Sequence, residues 1–240
     1  MTAPTASGST KSGARPNGST PAFLFDLDGT LIDSVYQHVL AWREALEEVG
    51  LSLAVWRIHR RIGMSGGLLV QALGREIGKQ LSAEQAERLQ ERHAVAFARY
   101  SAEVRPLPGA RELLRHLTEA GVRYAIATSG RPESARSSLE ALGVRSEIPV
   151  VTRREVQRAK PDPDLFLAAA KKLNISIHEA MVVGDSVWDL LAARRAGSLG
   201  IGLLSGGYGE EELQTAGAYR VYQDPKDLLD HLDEVGVRAF

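Results

Sequence analysis

The sequence predicts an α/β fold, a Rossmann-like parallel sheet core with an inserted all-helical domain. Two observations lead to this prediction. After residue 109, short apolar segments alternate with amphipathic ones, and alternating βα units are typical of a parallel sheet with right-handed crossovers. Residues 35–104, in contrast, have helical periodicity throughout and no strand pattern. The helical block therefore predicts an insertion between the first two strands of the sheet.

The first predicted strand leads directly into two acids. Residues 22–25 form a continuous apolar run, typical of a strand buried in a parallel sheet. Asp26 and Asp28 follow, and Gly29 permits a tight turn before Thr30. Alternation along a strand sends both carboxylates the same way, at the edge where open α/β sheets bind ligands. Such a pair favours a cation such as Mg²⁺ between the two carboxylates; an Asp-Gly turn that only ends the strand is the alternative here.

The helical block is predicted from periodicity and from helix-start signals. Gly63 to Gly67 interrupts it, and a proline-rich segment at 106–109 is typical of a domain boundary. Ser82 followed by Gln85 indicates the start of a long helix. The predicted helices of this block cover residues 34–49, 53–62, 68–77 and 82–100.

The remaining elements alternate along the chain. The predicted strands cover residues 122–127, 148–151, 180–183, 199–204 and 218–222. The predicted helices cover residues 110–120, 133–142, 164–173, 187–196 and 225–235. The sequence thus divides into an α/β core (22–34 and 106–240), a helical insertion (35–105) and a tail rich in Ser, Thr, Gly and Pro (1–21), which we expect to be disordered.

Composition excludes several classes of function. A net charge of −1 gives no general attraction to nucleic acid or to an anionic membrane. The chain has no cysteine, which excludes disulfides, thiolate metal sites and cysteine nucleophiles. No apolar run approaches the ~18 residues of a membrane span, and residues 1–21 lack the apolar core of a secretory signal. We therefore expect a cytoplasmic protein with no nucleic-acid or membrane partner; its oligomeric state is not predicted.

Three more polar clusters lie where predicted strands end or lead into a helix. They are Thr128-Ser129, Lys160-Pro161, and Gly184-Asp185-Ser186 with Asp189. Each has a simpler explanation when taken alone, because hydroxyls cap helices and a lone lysine is usually solvated. The carboxyl ends of parallel strands meet at one edge of a sheet, so we expect these clusters to lie beside the first two acids. Together they favour a site for a metal, a nucleophile and a dianionic substrate.

In this order the motifs resemble those of the haloacid dehalogenase superfamily, in its phosphatase branch, and the helical block resembles the small cap domain inserted after the family's first motif. The resemblance implies that Asp26 attacks phosphorus and forms an aspartyl-phosphate. Asp28 would protonate the leaving oxygen and then deprotonate the hydrolytic water. Thr128 and Ser129 would bind phosphoryl oxygens, and Lys160 would neutralise charge.

The same resemblance implies a cofactor, Mg²⁺. Its ligands would be Asp26, the backbone carbonyl of Asp28, and Asp185, with Asp189 supporting the loop of Asp185. Gly29 and Thr30 complete the first motif.

Several residues indicate the subgroup, which resembles phosphoglycolate phosphatase and β-phosphoglucomutase. Asp28 argues against dehalogenase and phosphonatase chemistry, since those enzymes lack this second acid. His38 resembles a histidine that lies near the catalytic acid in the sugar-phosphatase and mutase proteins; the alternative is a helix-surface residue. Arg61 and Gly63, in the loop 60–67, are expected to border the substrate.

The reaction itself leaves alternatives. A mutase of this subgroup grips a second phosphate with an arginine after a Gly-x-x pattern, whereas here Gly66 follows Gly63-Met64-Ser65. We therefore favour hydrolysis of a small phosphorylated metabolite. A β-phosphoglucomutase-like sugar phosphomutase and a non-catalytic phospholigand-binding regulatory protein remain the alternatives.

Overall fold

A computed structural model describes residues 20–237, so nearly all of the tail predicted to be disordered lies outside the described residues. Six strands form a parallel sheet, and two short strands form a separate antiparallel ribbon. The strands are β1 (Ala22–Phe25), β2 (Ile32–Asp33), β3 (Arg105–Pro106), β4 (Tyr124–Ala127), β5 (Val150–Val151), β6 (Ala180–Gly184), β7 (Leu199–Leu203) and β8 (Ala218–Tyr222). The sheet order is β5-β4-β1-β6-β7-β8, which confirms the predicted α/β fold class.

Among residues 20–237, ten α-helices surround this sheet or form the insertion. They are α1 (Val35–Glu47), α2 (Val55–His59), α3 (Gly66–Glu76), α4 (Ala83–Tyr100), α5 (Ala110–Glu119), α6 (Pro132–Leu142), α7 (Asp164–Lys172), α8 (Val187–Ala196), α9 (Glu210–Ala216) and α10 (Pro225–Asp230). The capping box of Ser82 and Gln85 is present at the start of α4. Within residues 20–237, no helix combines the length and apolarity that crossing a membrane requires.

Helix α9 was not predicted from the sequence. It has only seven residues, and just two of them, Leu213 and Ala216, are buried. Two apolar positions are too few to establish a helical period. Strand β5 is likewise shorter than expected, with two residues.

Strand β1, in the middle of the sheet, is buried on both faces. Phe23 and Phe25 belong to one hydrophobic cluster, and Ala22 and Leu24 belong to another on the opposite side. All four side chains are at most 2% exposed, as period-two alternation requires for a parallel strand covered by helices on both sides. This burial fixes the register of β1 and so the positions of the acids that follow it.

The helical insertion leaves and re-enters the core at one place. Ile32 pairs with Pro106, and Asp33 pairs with Arg105, in the antiparallel β2–β3 ribbon. Of the limits expected for the insertion, 35 follows β2 by two residues and 105 lies within β3; the domain division itself stays a prediction. The insertion has its own hydrophobic cluster, which includes Trp42. Its helices therefore pack against one another around a core of their own.

Polar contacts hold the insertion against the core on the side of β7. Arg60 forms an ion pair with Glu212, and its guanidinium carbon lies 4.2 Å from the centre of the Tyr208 ring. His59 Nε2 lies 2.8 Å from the carbonyl oxygen of Gly206. We call these five residues the closure contacts, because they join the end of α2 to the segment after β7.

We expect Arg60→Ala to loosen α2 without affecting the sheet. A partly exposed ion pair contributes ~0.2–1 kcal/mol, so hydrogen exchange of the α2 amides should accelerate by up to about fivefold. Arg43→Ala is the matched control, because Arg43 pairs with Glu47 inside α1 and both side chains are about half exposed. Equal α2 exchange in both variants would show that Arg60 does not hold the insertion in place.

Candidate active site

The sheet topology brings the predicted polar clusters to one edge. Strand β1 lies between β4 and β6, so the residues that follow these three strands are neighbours. The amide of Asp26 donates to the carbonyl oxygen of Val183 at 2.9 Å, and the amide of Thr128 donates to that of Val151 at the same distance. Adjacent strands therefore fix the backbone of both residues, and the structure brings the first and second motifs together.

A buried lysine links the acids. Lys160 is 0% exposed; its ammonium contacts the carboxylate of Asp26 and lies 2.8 Å from Oδ1 of Asp189. Burial alone would lower the pKa of Lys160, but Asp189 and Asp26 outweigh it and hold that pKa above its usual range. Burial raises the pKa of Asp26 to about 7, although Lys160 opposes the rise. An ammonium kept charged beside Asp26 is suited to attract a phosphate dianion.

Three carboxylates at this point are suited to a divalent cation. Oxygens of Asp26, Asp185 and Asp189 all lie within 4.8 Å of one another, and all three residues are buried. Burial, together with Asp189 and Asp26, raises the pKa of Asp185 well above its usual range. Three carboxylates against one ammonium leave an excess of negative charge, which a hard cation with oxygen ligands would neutralise.

Hydrogen bonds separate the roles of two of these acids. Asp189 uses both oxygens within the protein, because Oδ1 faces Lys160 and Oδ2 accepts from the amide of Ser186 at 3.2 Å. Asp185 accepts from the Thr30 hydroxyl through Oδ1, at 2.8 Å. Oδ2 of Asp185 packs closely against the backbone of Gly29, because a Cβ atom added to Gly29 would lie only 2.4 Å from this oxygen. The roles expected from the sequence, Asp185 as a metal ligand and Asp189 as its support, stay predictions.

Asp28 is held apart from the carboxylate cluster. Its Oδ1 accepts from the Ser34 hydroxyl at 2.7 Å and lies 3.3 Å from Nε2 of His38. Burial raises the pKa of Asp28, but His38 and the hydrogen bonds from His38 and Ser34 outweigh it and hold the pKa below its usual value. The side chain of Asp28 is thus committed to these partners, and its expected metal contact, through the backbone carbonyl, stays a prediction.

A cavity of about 310 Å³ lies between this edge of the sheet and the helical insertion. Asp26, Asp28, Thr128 and Ser129 line it from the core. The insertion contributes the following lining residues: His38, Trp42, Ile62, Gly63, Met64, Gly66, Gly67, Leu69, Gln90, His93, Ala94 and Phe97. The hydroxyl of Ser129 lies 3.4 Å from the carbonyl oxygen of Gly63, so the two parts of the chain meet at the cavity.

Arg61 is not brought to this cavity. Its guanidinium pairs with Glu76 on the other side of the loop, where both residues line a separate depression. Arg60 is turned toward Glu212 of the core. The expectation that basic residues of the loop 60–67 border the substrate is therefore corrected: acidic partners draw both guanidiniums away, and Gly63 and its neighbours line the cavity instead.

Other residues of the cavity were missed by the sequence analysis. His93, Gln90 and Phe97 lie on α4, where a single histidine among many polar residues carries no distinct signal. Arg131 and Arg153 line the cavity from the core. The position of Arg131, two residues after Ser129, was the signal that could have identified it.

Comparison with known proteins finds matches to one hydrolase family and to proteins named as phosphatases. The family model described as haloacid dehalogenase-like hydrolase matches residues 20–197. The phosphoglycolate phosphatase of Caulobacter vibrioides is 34% identical over 205 residues, which cover 84% of this chain and 85% of that protein. Hexitol phosphatase A of Escherichia coli is 35% identical over 179 residues, 73% of this chain and 79% of that protein.

A solved structure extends the similarity to three dimensions. The crystal structure of a hydrolase from Pseudomonas syringae superposes with a TM-score of 0.88 at 56% identity, covering 90% of this chain and 99% of that one. The family model spans more than half of the chain, and the predicted motifs lie within it. The chain is therefore an enzyme of the haloacid dehalogenase-like hydrolase family.

Proposed function

We propose that this enzyme is a magnesium-dependent phosphomonoester hydrolase that acts on a small phosphorylated metabolite through an aspartyl-phosphate on Asp26. One observation carries the proposal: Asp26 lies at the cavity against the buried ammonium of Lys160, with Asp28 lining the same cavity two residues later. A nucleophile, its neutralising cation and an acid/base group are therefore within reach of one bound ester.

The first half of the reaction transfers the phosphoryl group to the protein. A carboxylate oxygen of Asp26 attacks phosphorus, the bond to the alcohol oxygen breaks, and that oxygen takes a proton from Asp28. In the second half, Asp28 removes a proton from water, the resulting hydroxide attacks phosphorus, and Asp26 is regenerated as phosphate leaves. Asp28 takes up a proton from solvent when the ester binds, is protonated again after the water has reacted, and returns that proton as phosphate leaves, so protons balance over the cycle.

Charge is the main barrier that this site must overcome. A carboxylate at ~4 Å from each of two unit negative charges, at an effective dielectric of ~20, meets about 8 kcal/mol of repulsion, on the order of a million-fold in rate. Lys160 supplies one positive charge against it. Mg²⁺ held by Asp26, Asp185 and the Asp28 carbonyl would supply two more and polarise a phosphoryl oxygen.

The environment of Asp28 suits both of its roles. In the free enzyme its pKa is held low, so it is ionised and ready to accept a proton. An approaching phosphate dianion is a like charge, and like charges raise the pKa of a carboxyl group. The substrate itself therefore favours the protonated form that the leaving oxygen needs.

The cavity supports a small substrate. Its volume of about 310 Å³ is at the lower end of the ~300–1,000 Å³ typical of ligand pockets. Thr128 and Ser129 line the part nearest Asp26, where we place the phosphoryl group. The similarity to a phosphoglycolate phosphatase and to a hexitol phosphatase agrees with a small phosphorylated metabolite.

The wall of the cavity that the insertion forms favours hydrolysis over a mutase reaction. Gly66 and Gly67 line the cavity where a mutase would need an arginine, and the cavity-lining residues that the insertion contributes within 20–237 include no lysine or arginine. A second phosphate at that wall would be left without a cation. Arg131 and Arg153 belong to the core wall instead.

Asp26→Asn should abolish turnover and leave the fold intact. The amide is nearly the same size, but it is a poor nucleophile and cannot form the acyl phosphate. Phosphate release from p-nitrophenyl phosphate with Mg²⁺ and the thermal unfolding curve would be measured together. Release near the wild-type rate would show that Asp26 is not the nucleophile; the matched control is Asp233→Asn, since Asp233 is exposed and does not line the cavity.

Magnesium should stabilise the wild type and not Asp185→Asn. Asn relieves the repulsion that raises the pKa of Asp185, so the metal-free variant should be no less stable than the wild type. It also removes an anionic ligand, so the stabilisation by Mg²⁺, ~2.7 kcal/mol at a hundredfold excess over Kd and detected as a rise in Tm, should largely disappear. An unchanged Mg²⁺ effect in Asp185→Asn would place the metal elsewhere.

A substrate panel separates the alternatives. We expect phosphate release from sugar, polyol and short-chain phosphates, and no bisphosphate-dependent conversion of β-glucose 1-phosphate to glucose 6-phosphate. Efficient isomerisation would instead support the mutase. Binding of phosphate esters without any turnover would support the regulatory alternative.

A further inference from the structure

A second histidine stands behind the His38–Asp28 contact. His93 lies on α4, and its Nε2 is 3.1 Å from Nδ1 of His38. His38, on α1, in turn places its Nε2 3.3 Å from Oδ1 of Asp28. Two imidazoles from different helices of the insertion thus form a hydrogen-bonded chain that ends on the acid/base group of the core.

Aromatic neighbours fix the planes of both rings. His93 stacks on Trp42 at 4.2 Å between ring centres and 16° between planes. His38 stacks on Phe97 at 3.9 Å and 3°. Stacking uses the faces of the two rings, so the nitrogens at their edges, Nδ1 of His38 and Nε2 of His93, can face each other. Packing therefore sets the planes of the rings, and the hydrogen bond joins their edges.

The chain of contacts restricts the tautomer of His38. Because Asp28 is an ionised acceptor, the nitrogen that faces it, Nε2 of His38, must carry a proton. In a neutral imidazole the other nitrogen, Nδ1, is then an acceptor, and it needs a donor. Nε2 of His93, 3.1 Å away, is placed to be that donor when it carries its proton.

We propose that His93 is a positioning residue for the reaction: by donating to Nδ1 of His38, it holds His38 in the tautomer and orientation in which Nε2–H is donated to Asp28. Without His93, a neutral His38 is free to carry its proton on Nδ1, which leaves Nε2 with a lone pair facing the carboxylate. Asp28 then loses a hydrogen bond and gains a repulsive neighbour. Since both histidines lie on the insertion, this contact also makes the geometry of Asp28 depend on how the insertion packs on the core.

The inference rests on the proposed phosphatase activity, and the experiment keeps the two apart. The kcat and KM for p-nitrophenyl phosphate with Mg²⁺ would be measured for the wild type, His93→Phe and His93→Gln. Phe keeps a ring against Trp42 but cannot hydrogen-bond, whereas Gln has both a donor and an acceptor. We expect kcat to fall about three- to tenfold in His93→Phe, the range that one hydrogen bond supplies, and to recover substantially in His93→Gln, with KM changed less than kcat.

A double-mutant cycle tests whether His93 acts through His38. In a His38→Ala background, His93→Phe should cause no further loss of kcat, because the partner that it orients is absent. Multiplicative losses would show that His93 acts by packing or by touching the substrate, and would overturn the proposal. A wild-type kcat in His93→Phe would overturn it equally.

Two controls complete the design. Val95→Gln, on α4 with Val95 65% exposed, should leave kcat unchanged. If His93→Phe does not fold, His93→Met replaces it, since Met also lacks a donor. A wild type that releases no phosphate would contradict the proposed function itself, which is a different outcome from equal kcat values in an active enzyme and its His93 variants.

Discussion

The structure of the site depends on the ion pair between Asp26 and Lys160. A fully buried ammonium is stable only with anionic partners, and Lys160 finds two of them, Asp26 after β1 and Asp189 on α8. One side chain therefore ties three separate parts of the chain to a single point. Because both carboxylates are also buried, the same contact keeps Asp26, the proposed nucleophile, ionisable in a place from which water is largely excluded.

Charge balance explains the rest of this edge of the sheet. The ammonium neutralises one of three clustered carboxylates, and Thr30 donates to a second, Asp185. Gly29 and Gly206 both pack closely against Asp185, since a Cβ on either would stand within 2.4 Å of its Oδ2. Gly206 also accepts from His59 of the insertion when that imidazole is protonated on Nε2. The closure contacts thus involve the segment after β7, which packs directly against Asp185, one of the three clustered carboxylates.

The two parts of the chain divide the chemistry between them. In the proposed reaction, the core supplies the groups that would meet phosphorus, Asp26, Thr128 and Lys160, from strand ends and a buried loop whose positions are set by sheet register. The insertion supplies the partner of Asp28 through His38 and forms the opposite wall of the cavity. In the proposed mechanism, proton transfer by Asp28 would therefore depend on the packing of the insertion, whereas phosphoryl binding would depend on the sheet alone.

The sequence by itself determined the α/β fold, the inserted helices and the acids that meet at the sheet edge, because apolar periodicity and strand-end position are local properties of the chain. It did not determine α9, whose two buried residues give no period. Only the tertiary structure decided where the side chains of Arg60 and Arg61 point. Arg60 pairs with Glu212 and Arg61 pairs with Glu76, and neither pairing is visible in the sequence. His93 and His38 are 55 positions apart in the sequence. Only the packing of α1 on α4 brings Nε2 of His93 and Nδ1 of His38 within hydrogen-bonding distance.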